Sequence, residues 1–297
     1  MRVIIFGGSG FLGSHVADAL TAAGHVVSVF DRIPSPWLRK GQKMIVGDIL
    51  NPEAVDDAVK GMDYVYQMAG IAEIGKAAIN PSEAIETNIM GSTNIIEACA
   101  ENDVKRVLFA SSVYVYSDKG SFYRVSKQAV ESILEAYHEN KGLPFTILRY
   151  GSLYGPRAQD WNGLKQFVIQ AIKHNRIVYP GTGEERREYI HVEDAAKLSV
   201  HALDEAFANQ CLTITGTQIL RTRDVMSMIK EIIGQRISIE FRLEDSFHEL
   251  YHYSQTPYRY TPKRAQKLVP TAFVDLGQGI LEIVEELETE HHQNCCN

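Results

Sequence analysis

Cysteine is scarce in this chain, and its placement excludes a disulfide framework. Of the four cysteines, Cys99 and Cys211 sit in apolar contexts, while Cys295 and Cys296 are adjacent near the C-terminus. That set predicts a reduced, cytoplasmic protein. The tail HHQNCCN offers ligand types in His291, His292, Cys295 and Cys296. Adjacent cysteines at a chain end have no scaffold to aim them, so no metal site is read there. Long hydrophobic runs are also missing. No apolar stretch reaches the ~18 residues of a membrane span, and the opening MRVIIFGG meets glycines too early for a signal peptide. Nor is there an excess of positive charge: 30 Lys and Arg face 37 Asp and Glu, for a formal net charge of −7. This speaks against a general nucleic-acid binder, which needs a basic face. The hydrophobic share of 45% over 297 residues predicts a real core in one large α/β domain, or a main domain with a smaller one.

The first half alternates two patterns. RVIIF (2–6), VVSVF (26–30), MIVG (44–47), YVYQM (64–68), RVLFA (106–110) and FTILRY (145–150) are nearly continuous apolar runs, as strands covered on both faces require. Helical patterns lie between most of them: 10–23 with Gly24 at its end, 52–60 entered through Pro52, 82–101, and about 123–140. This repetition predicts a doubly wound parallel sheet. After Tyr150 the pattern loosens. Helices are expected at 163–175, 193–206, 222–234 (Thr222 as N-cap, Gly234 as stop) and 274–290, with strands at 188–192, 212–216 and 237–241. The expected division is a dinucleotide-binding domain over 1–150, rejoined by 188–216, and a smaller α/β substrate domain from 151–187 and 217–297.

The first strand runs into GGSGFLG. Gly7 suits the tight turn off the strand, Gly10 lets a pyrophosphate approach the backbone, and Gly13 lets the new helix pack on the sheet. The helix N-terminus then offers free N–H groups to an anion. Asp31 ends the second strand, 18 residues beyond Gly13. A carboxylate there accepts from ribose hydroxyls and repels a 2′-phosphate, favouring NAD over NADP; Arg32 beside it is the residue that could pair with such a phosphate.

Three tyrosines occur in SSVYVYSDKGSFYRVSK (111–127). Only Tyr123 has a lysine at i+4, Lys127, which shares its helix face. An ammonium there is expected to stabilise the phenolate and prepare Tyr123 as a base; Tyr114 and Tyr116 are expected to pack. Ser112 lies at the C-terminal edge of a strand, where α/β sheets bind ligands. Ser111 is its rival, and strand alternation points the two opposite ways.

With GGSGFLG, GDI (47–49), QMAG (67–70), TNIMGSTN (87–94), SSVYVY (111–116), YRVSK (123–127), LRYGSLYGPR (148–157) and RREYIHVEDAA (186–196), the chain resembles the extended short-chain dehydrogenase/reductases, specifically the NAD-dependent nucleotide-sugar epimerase/dehydratase family, over nearly its full length. The resemblance implies a Rossmann-type fold, NAD as cofactor, and Ser112, Tyr123 and Lys127 as the catalytic trio. It further implies cofactor contacts from Gly7, Gly10, Phe11, Leu12, Gly13, Asp31, Arg32, Asp48, Ile49, Met68, Ala69, Gly70, Asn88, Tyr123, Tyr150 and, through its ribose, Lys127. Ser112, Ser152, Arg157 and Arg187 would meet a nucleotide-sugar-like substrate, with Arg186 able to replace Arg187. Dehydrating members of the family carry Asp-Glu just after the Ser/Thr, and decarboxylating ones keep the glutamate. Here Val113 and Tyr114 stand there, so a 4-epimerase is expected. The alternatives are an NAD(P)-dependent reductase or dehydrogenase of another hydroxyl or keto substrate, and a non-catalytic dinucleotide sensor. The chain departs from the pattern in Gly151-Ser152, in Ser117 after Tyr116, and in the short Ser112 to Tyr123 connection. By analogy, helices 82–101 and 123–140 would form a homodimer interface.

Overall fold

A computed structural model describes residues 1–234, 236–242, 252–257 and 266–295, with the side chains of 291–295 left out. The apolar runs become β1 (Arg2–Phe6), β2 (Val26–Asp31), β3 (Lys43–Val46), β4 (Tyr64–Gln67), β5 (Arg106–Ser112) and β6 (Phe145–Tyr150). All pair in parallel, in the order β6-β5-β4-β1-β2-β3. Their alternation fills two cores. Val3 and Ile5 face Val16 and Leu20 of α1 (Phe11–Ala22), while Ile4 and Phe6 face Val55 and Val59 of α2 (Pro52–Val59). Helices on both faces explain why these strands carry no polar face. This is the doubly wound Rossmann-type sheet expected. The order reverses beside β1, between β2 and β4, and the crevice at the C-terminal ends of these strands is where such sheets bind ligands.

The stretch expected as one helix over 82–101 is segmented. A short helix α3 (Ile74–Ile79) precedes it, then α4 (Pro81–Ile85), a π-helical turn (Glu86–Met90) and α5 (Gly91–Glu101). The long helix α6 (Ser121–Lys141) ends at Gly142, whose φ of +70° suits glycine.

Beyond β6 the chain builds β7 (Ser152–Tyr154), α7 (Gly163–His174), β8 (Arg176–Tyr179), β9 (Arg186–His191), α8 (Val192–His201), β10 (Gln210–Ile214), β11 (Ile219–Arg221), α9 (Thr222–Ile233), β12 (Ser238–Phe241), β13 (Gln266–Leu268) and α10 (Leu276–Cys295). Within 188–216, α8 packs on α1 and β10 extends the large sheet beside β6, whereas β9 pairs with β7 and β11. From the C-terminal stretch, β13 adds the edge strand of the large sheet. A separate core joins α7, α9 and α10 around Phe167, Val168, Met226, Ile229 and Ile283. Thr222 is not the N-cap of α9; it opens the helix after Arg221, and its hydroxyl donates to the carbonyl of Glu185 at 3.0 Å. Its side chain is spent on another segment, and the first amides of the helix are satisfied by backbone instead: those of Thr222 and Arg223 donate to the carbonyls of Glu185 at 2.9 Å and Gly183 at 3.0 Å. Cys296 lies outside the described residues, as do the side chains of His291, His292 and Cys295.

Candidate active site

A cleft of about 790 Å³ opens at the C-terminal edge of the large sheet. Its floor begins at the glycine turn. Gly7 has a φ of +82°, and a Cβ on it would stand 2.6 Å from the amide nitrogen of Ala69. A Cβ on Gly13 would stand 2.2 Å from the carbonyl oxygen of Gly7. Both positions are closed to larger residues, which leaves the first turn of α1 against the sheet and its N–H groups open to an anion. Asp31 lines the cleft and accepts from the Ser9 amide at 3.0 Å, so the ribose-side carboxylate is braced by the glycine loop itself. Arg32, Phe11, Leu12, Asp48, Ile49, Met68, Ala69 and Gly70 line the same wall. Asp48 also accepts from Leu50 at 2.9 Å, a turn that fixes its direction. A cradle shaped by Gly7 and Gly13, with a carboxylate at the end of β2, fits a dinucleotide.

Asn88 does not line the cleft. It sits in the π turn, and its carboxamide is fully used: Oδ1 accepts from the Ile71 amide at 2.6 Å, and Nδ2 donates to the Ile71 carbonyl and to Ser126 Oγ, both at 3.0 Å. A π turn often serves to aim one side chain. Here it ties the loop after β4 to α6, so Asn88 supports the wall from behind. Tyr150 lines the cleft with its hydroxyl bonded to Ser199 Oγ at 2.6 Å.

The catalytic candidates converge at the end of β5. Both serines border the cleft, but Ser111 spends its hydroxyl on the buried Glu131 at 2.6 Å, whereas Ser112 bonds the Tyr123 phenol. Strand alternation thus gives the two serines different partners. A 3-10 turn (Val113–Tyr116) and Gly120, at φ +98°, close the short connection and start α6 at Ser121, which puts Tyr123 in its first turn. Lys127 lies below, its Nζ donating to the Ala110 carbonyl at 2.7 Å and standing 5.8 Å from the Tyr123 ring centre. Burial pulls Lys127 down to about 8, opposed by the charge of Glu131. The expected acidification of Tyr123 is not met in the polypeptide. Burial pushes its phenol up to about 12, and the hydrogen bond from Ser112 offsets only part of this. One of the Lys127 N–H donors goes to the Ala110 carbonyl, and its charge is not among the causes that act on the phenol.

Tyr116 packs as expected, under the Arg149 guanidinium at 4.7 Å. Tyr114 does not merely pack. It lines the cleft, and its hydroxyl lies 2.7 Å from His252 Nδ1. Arg187 and Ser152 line the substrate half. Arg187 covers the face of Tyr253 at 4.3 Å, while Arg186 is exposed. Sequence reasoning missed Tyr189, His252 and Tyr253. Tyr189 was legible by alternation from Arg187 on one strand face; His252 and Tyr253 meet the cleft only through contacts distant in sequence.

Arg157 is corrected. It stands outside the cleft, at φ +64°, with its amide donating to Glu286 at 2.9 Å. Its guanidinium pairs with Asp18 at 2.9 Å and covers the Trp37 ring at 4.9 Å. The left-handed turn swings this side chain to the back of α1, where Asp18 neutralises it. Beside it, His15 is buried, with Nε2 3.1 Å from the Pro156 carbonyl oxygen. Burial, then the Arg157 charge, pulls His15 down to about 4. Below its ordinary value of 6.5 the unfolded chain takes a proton that the native chain refuses, so stability falls with pH. Acidification from pH 7.5 to pH 5 is expected to cost about 2 kcal/mol through this residue. Urea midpoints at the two pH values check it: His15→Gln should flatten the difference, and an unchanged difference would refute the assignment.

A model of the NAD dependent epimerase/dehydratase family matches residues 3–212. UDP-N-acetyl-alpha-D-glucosaminuronate decarboxylase from Bacillus cytotoxicus is 30% identical over 241 residues, covering 72% of this chain and 74% of that protein. UDP-glucose 4-epimerase from Thermotoga maritima, solved with UDP-glucose, superposes with a TM-score of 0.85 at 23% identity, over 98% of this chain and 100% of that one. UDP-glucuronic acid 4-epimerase from Bacillus cereus, solved with UDP-glucuronic acid and NAD, gives 0.82 at 22% identity over the same shares. A glycine cradle with a carboxylate at the end of β2, the fold, and a family match over most of the chain agree: this protein is an enzyme of the NAD dependent epimerase/dehydratase family, of the extended short-chain dehydrogenase/reductase type, with NAD as its cofactor.

Proposed function

We propose that the protein is a nucleotide-sugar 4-epimerase with Tyr123 as its acid and base. The observation that carries this is the convergence of Ser112, Tyr123 and Lys127 on the cleft that also holds the glycine cradle and Asp31. NAD, when bound, accepts a hydride from a sugar carbon and can return it. The polypeptide supplies the rest. Gly7, Gly10, Gly13 and the start of α1 hold the pyrophosphate, Asp31 the adenosine ribose, Asp48 and Ile49 the adenine, and Met68 to Gly70 the wall beyond β4. Lys127 reaches the second ribose. Ser112 hydrogen-bonds the reacting oxygen and the Tyr123 phenol. Tyr123 removes the hydroxyl proton and later returns it, and a fixed position does most of this work. A phenol held at about 12 by burial ionises only when positive charge is brought near, which couples its basicity to the loaded cleft. Arg187, whose guanidinium fork suits a diphosphate, and Ser152 hold the substrate.

The relative at 30% identity is a decarboxylase, which favours that reaction as a second reading. Against it, Val113 is buried and Tyr114 carries no carboxylate, so no acidic pair follows Ser112. We also propose a homodimer built on α4, α5 and α6. Ile85 of α4, Met90 of the π turn that leads into α5, and Phe122 and Val125 of α6 are exposed on adjoining elements, an apolar surface a monomer seldom leaves uncovered. A cytoplasmic location accords with the buried thiol of Cys99. No described helix is long and apolar enough to cross a membrane.

The test is to incubate the NAD-loaded protein with UDP-, GDP- and dTDP-hexoses. The expected result is an epimer with no net gain of reduced cofactor. Reduced cofactor formed in step with product would make it a dehydrogenase, and cofactor binding with no conversion in the whole panel would overturn the nucleotide-sugar reading.

A further inference from the structure

The substrate half of the cleft is built unlike its cofactor half. Among the described lining residues the cations are Arg32, Lys127 and Arg187, and the acids are Asp31, Asp48 and Glu73. Arg32 stands at the adenosine end, Lys127 donates to Ala110, and Arg187 lies over Tyr253 where a diphosphate is proposed to bind. Among the described lining residues, Lys127, assigned to the Ala110 carbonyl and the proposed ribose, is the cation beside Tyr123, and Arg187, whose charge also acts on the Tyr114 phenol, is assigned to the proposed diphosphate. What surrounds Tyr123 there is aromatic. The Tyr114 ring meets the Tyr123 ring edge-on at 6.2 Å and the Tyr253 ring at 4.6 Å. Gly120 makes this possible, since a Cβ on it would stand 2.7 Å from the Tyr114 ring. The segment that carries His252 and Tyr253 is pinned to β9: the Arg186 amide donates to the Ser254 carbonyl at 2.8 Å, and the Glu188 amide to Thr256 Oγ1 at 3.1 Å.

We propose that Tyr114, oriented by His252, is a specificity-determining residue that selects a nucleotide sugar with an uncharged hexose over the corresponding hexuronate; this rests on the nucleotide-sugar reading above. Burial keeps the Tyr114 phenol un-ionised. An imidazole can hold its proton on either nitrogen, so the Tyr114 oxygen can present either its own proton or a lone pair to the cleft while keeping its bond to His252. A sugar hydroxyl, itself donor and acceptor, matches both states. A carboxylate matches only one and brings a second charge for which the described wall keeps no cation beyond Lys127 and Arg187, which is costly in a buried site. Aromatic faces also suit the C–H surface of a neutral ring better than an ionised group.

The test is calorimetric titration of the NAD-loaded Tyr123→Phe protein, whose turnover is expected to be slowed enough for binding to be read, with UDP, UDP-glucose and UDP-glucuronate at pH 7.5. UDP-glucose is expected to bind at least about tenfold tighter than UDP-glucuronate. Adding Tyr114→Phe should bring the two within about threefold by weakening UDP-glucose, with UDP itself unchanged. His252→Gln, whose amide can still bond the phenol, should keep most of the preference. Equal or tighter binding of UDP-glucuronate, or a preference that survives Tyr114→Phe, overturns the assignment while leaving the nucleotide-sugar reading intact. Failure of UDP and of both sugars to bind overturns that reading and this one together.

Discussion

Replacing Tyr123 by Phe is expected to lower kcat by roughly 10²–10⁴-fold, the usual contribution of a positioned acid and base, while NAD content stays as in the parent. The substitution removes one oxygen from a ring that already sits among Tyr114, Ile71 and the first turn of α6, so the cleft keeps its shape. Ser112→Ala provides the linked control. The Ser112 hydrogen bond is what lowers the phenol against the effect of burial. Its loss should move the ascending limb of the pH–rate profile to higher pH, because a less acidic phenol is ionised later. Stopped assays of epimer formation from pH 6 to 10, with cofactor content read by absorbance, check both. A Tyr123→Phe enzyme retaining more than a tenth of parental kcat would show that another group carries the proton.

Glu131→Ala is expected to destabilise the protein by about 3–5 kcal/mol, the range for breaking one side of a buried ion pair. Glu131 follows Lys127 by one helical turn, is buried, and accepts from Arg149 Nε at 2.9 Å and Nη2 at 2.7 Å and from Ser111 at 2.6 Å. Burial alone would lower Arg149, yet the bidentate bonds and charge of Glu131 hold it raised instead. Remove the carboxylate and a guanidinium with no exposed surface loses its counter-charge beneath the strand that presents Ser112. The double change Glu131→Leu with Arg149→Met should regain most of the loss, since apolar residues of similar volume replace buried pairs at little cost. Urea unfolding of the single and double variants measures this. A single variant with the parental midpoint would mean that water or rearrangement satisfies Arg149.

The two changes read different layers of one helix. Tyr123, Lys127 and Glu131 recur every four residues along α6, so they share one face. The first meets the cleft, the second a strand carbonyl, and the third a buried arginine. The i+4 relation of Tyr123 to Lys127 was legible before any coordinates. Its electrostatic consequence was not, because that depends on where the ammonium spends its protons and how deeply the phenol is buried.

What the amino-acid sequence by itself determined is what lies in short contiguous stretches. The six apolar runs of the large sheet, the glycine turn, Asp31 and the Tyr123–Lys127 spacing are local, and local periodicity and steric demands suffice to place them. Tertiary structure alone decided the rest. It settled which of the two serines meets Tyr123 by giving Glu131 to Ser111, turned Arg157 toward Asp18, and broke 82–101 at the π turn that aims Asn88. It also brought His252 to Tyr114 across 138 residues. Each of these outcomes is a choice among polar partners, and the winner is whichever group the fold brings within hydrogen-bond distance and shields from water, a contest that spacing along the chain does not encode.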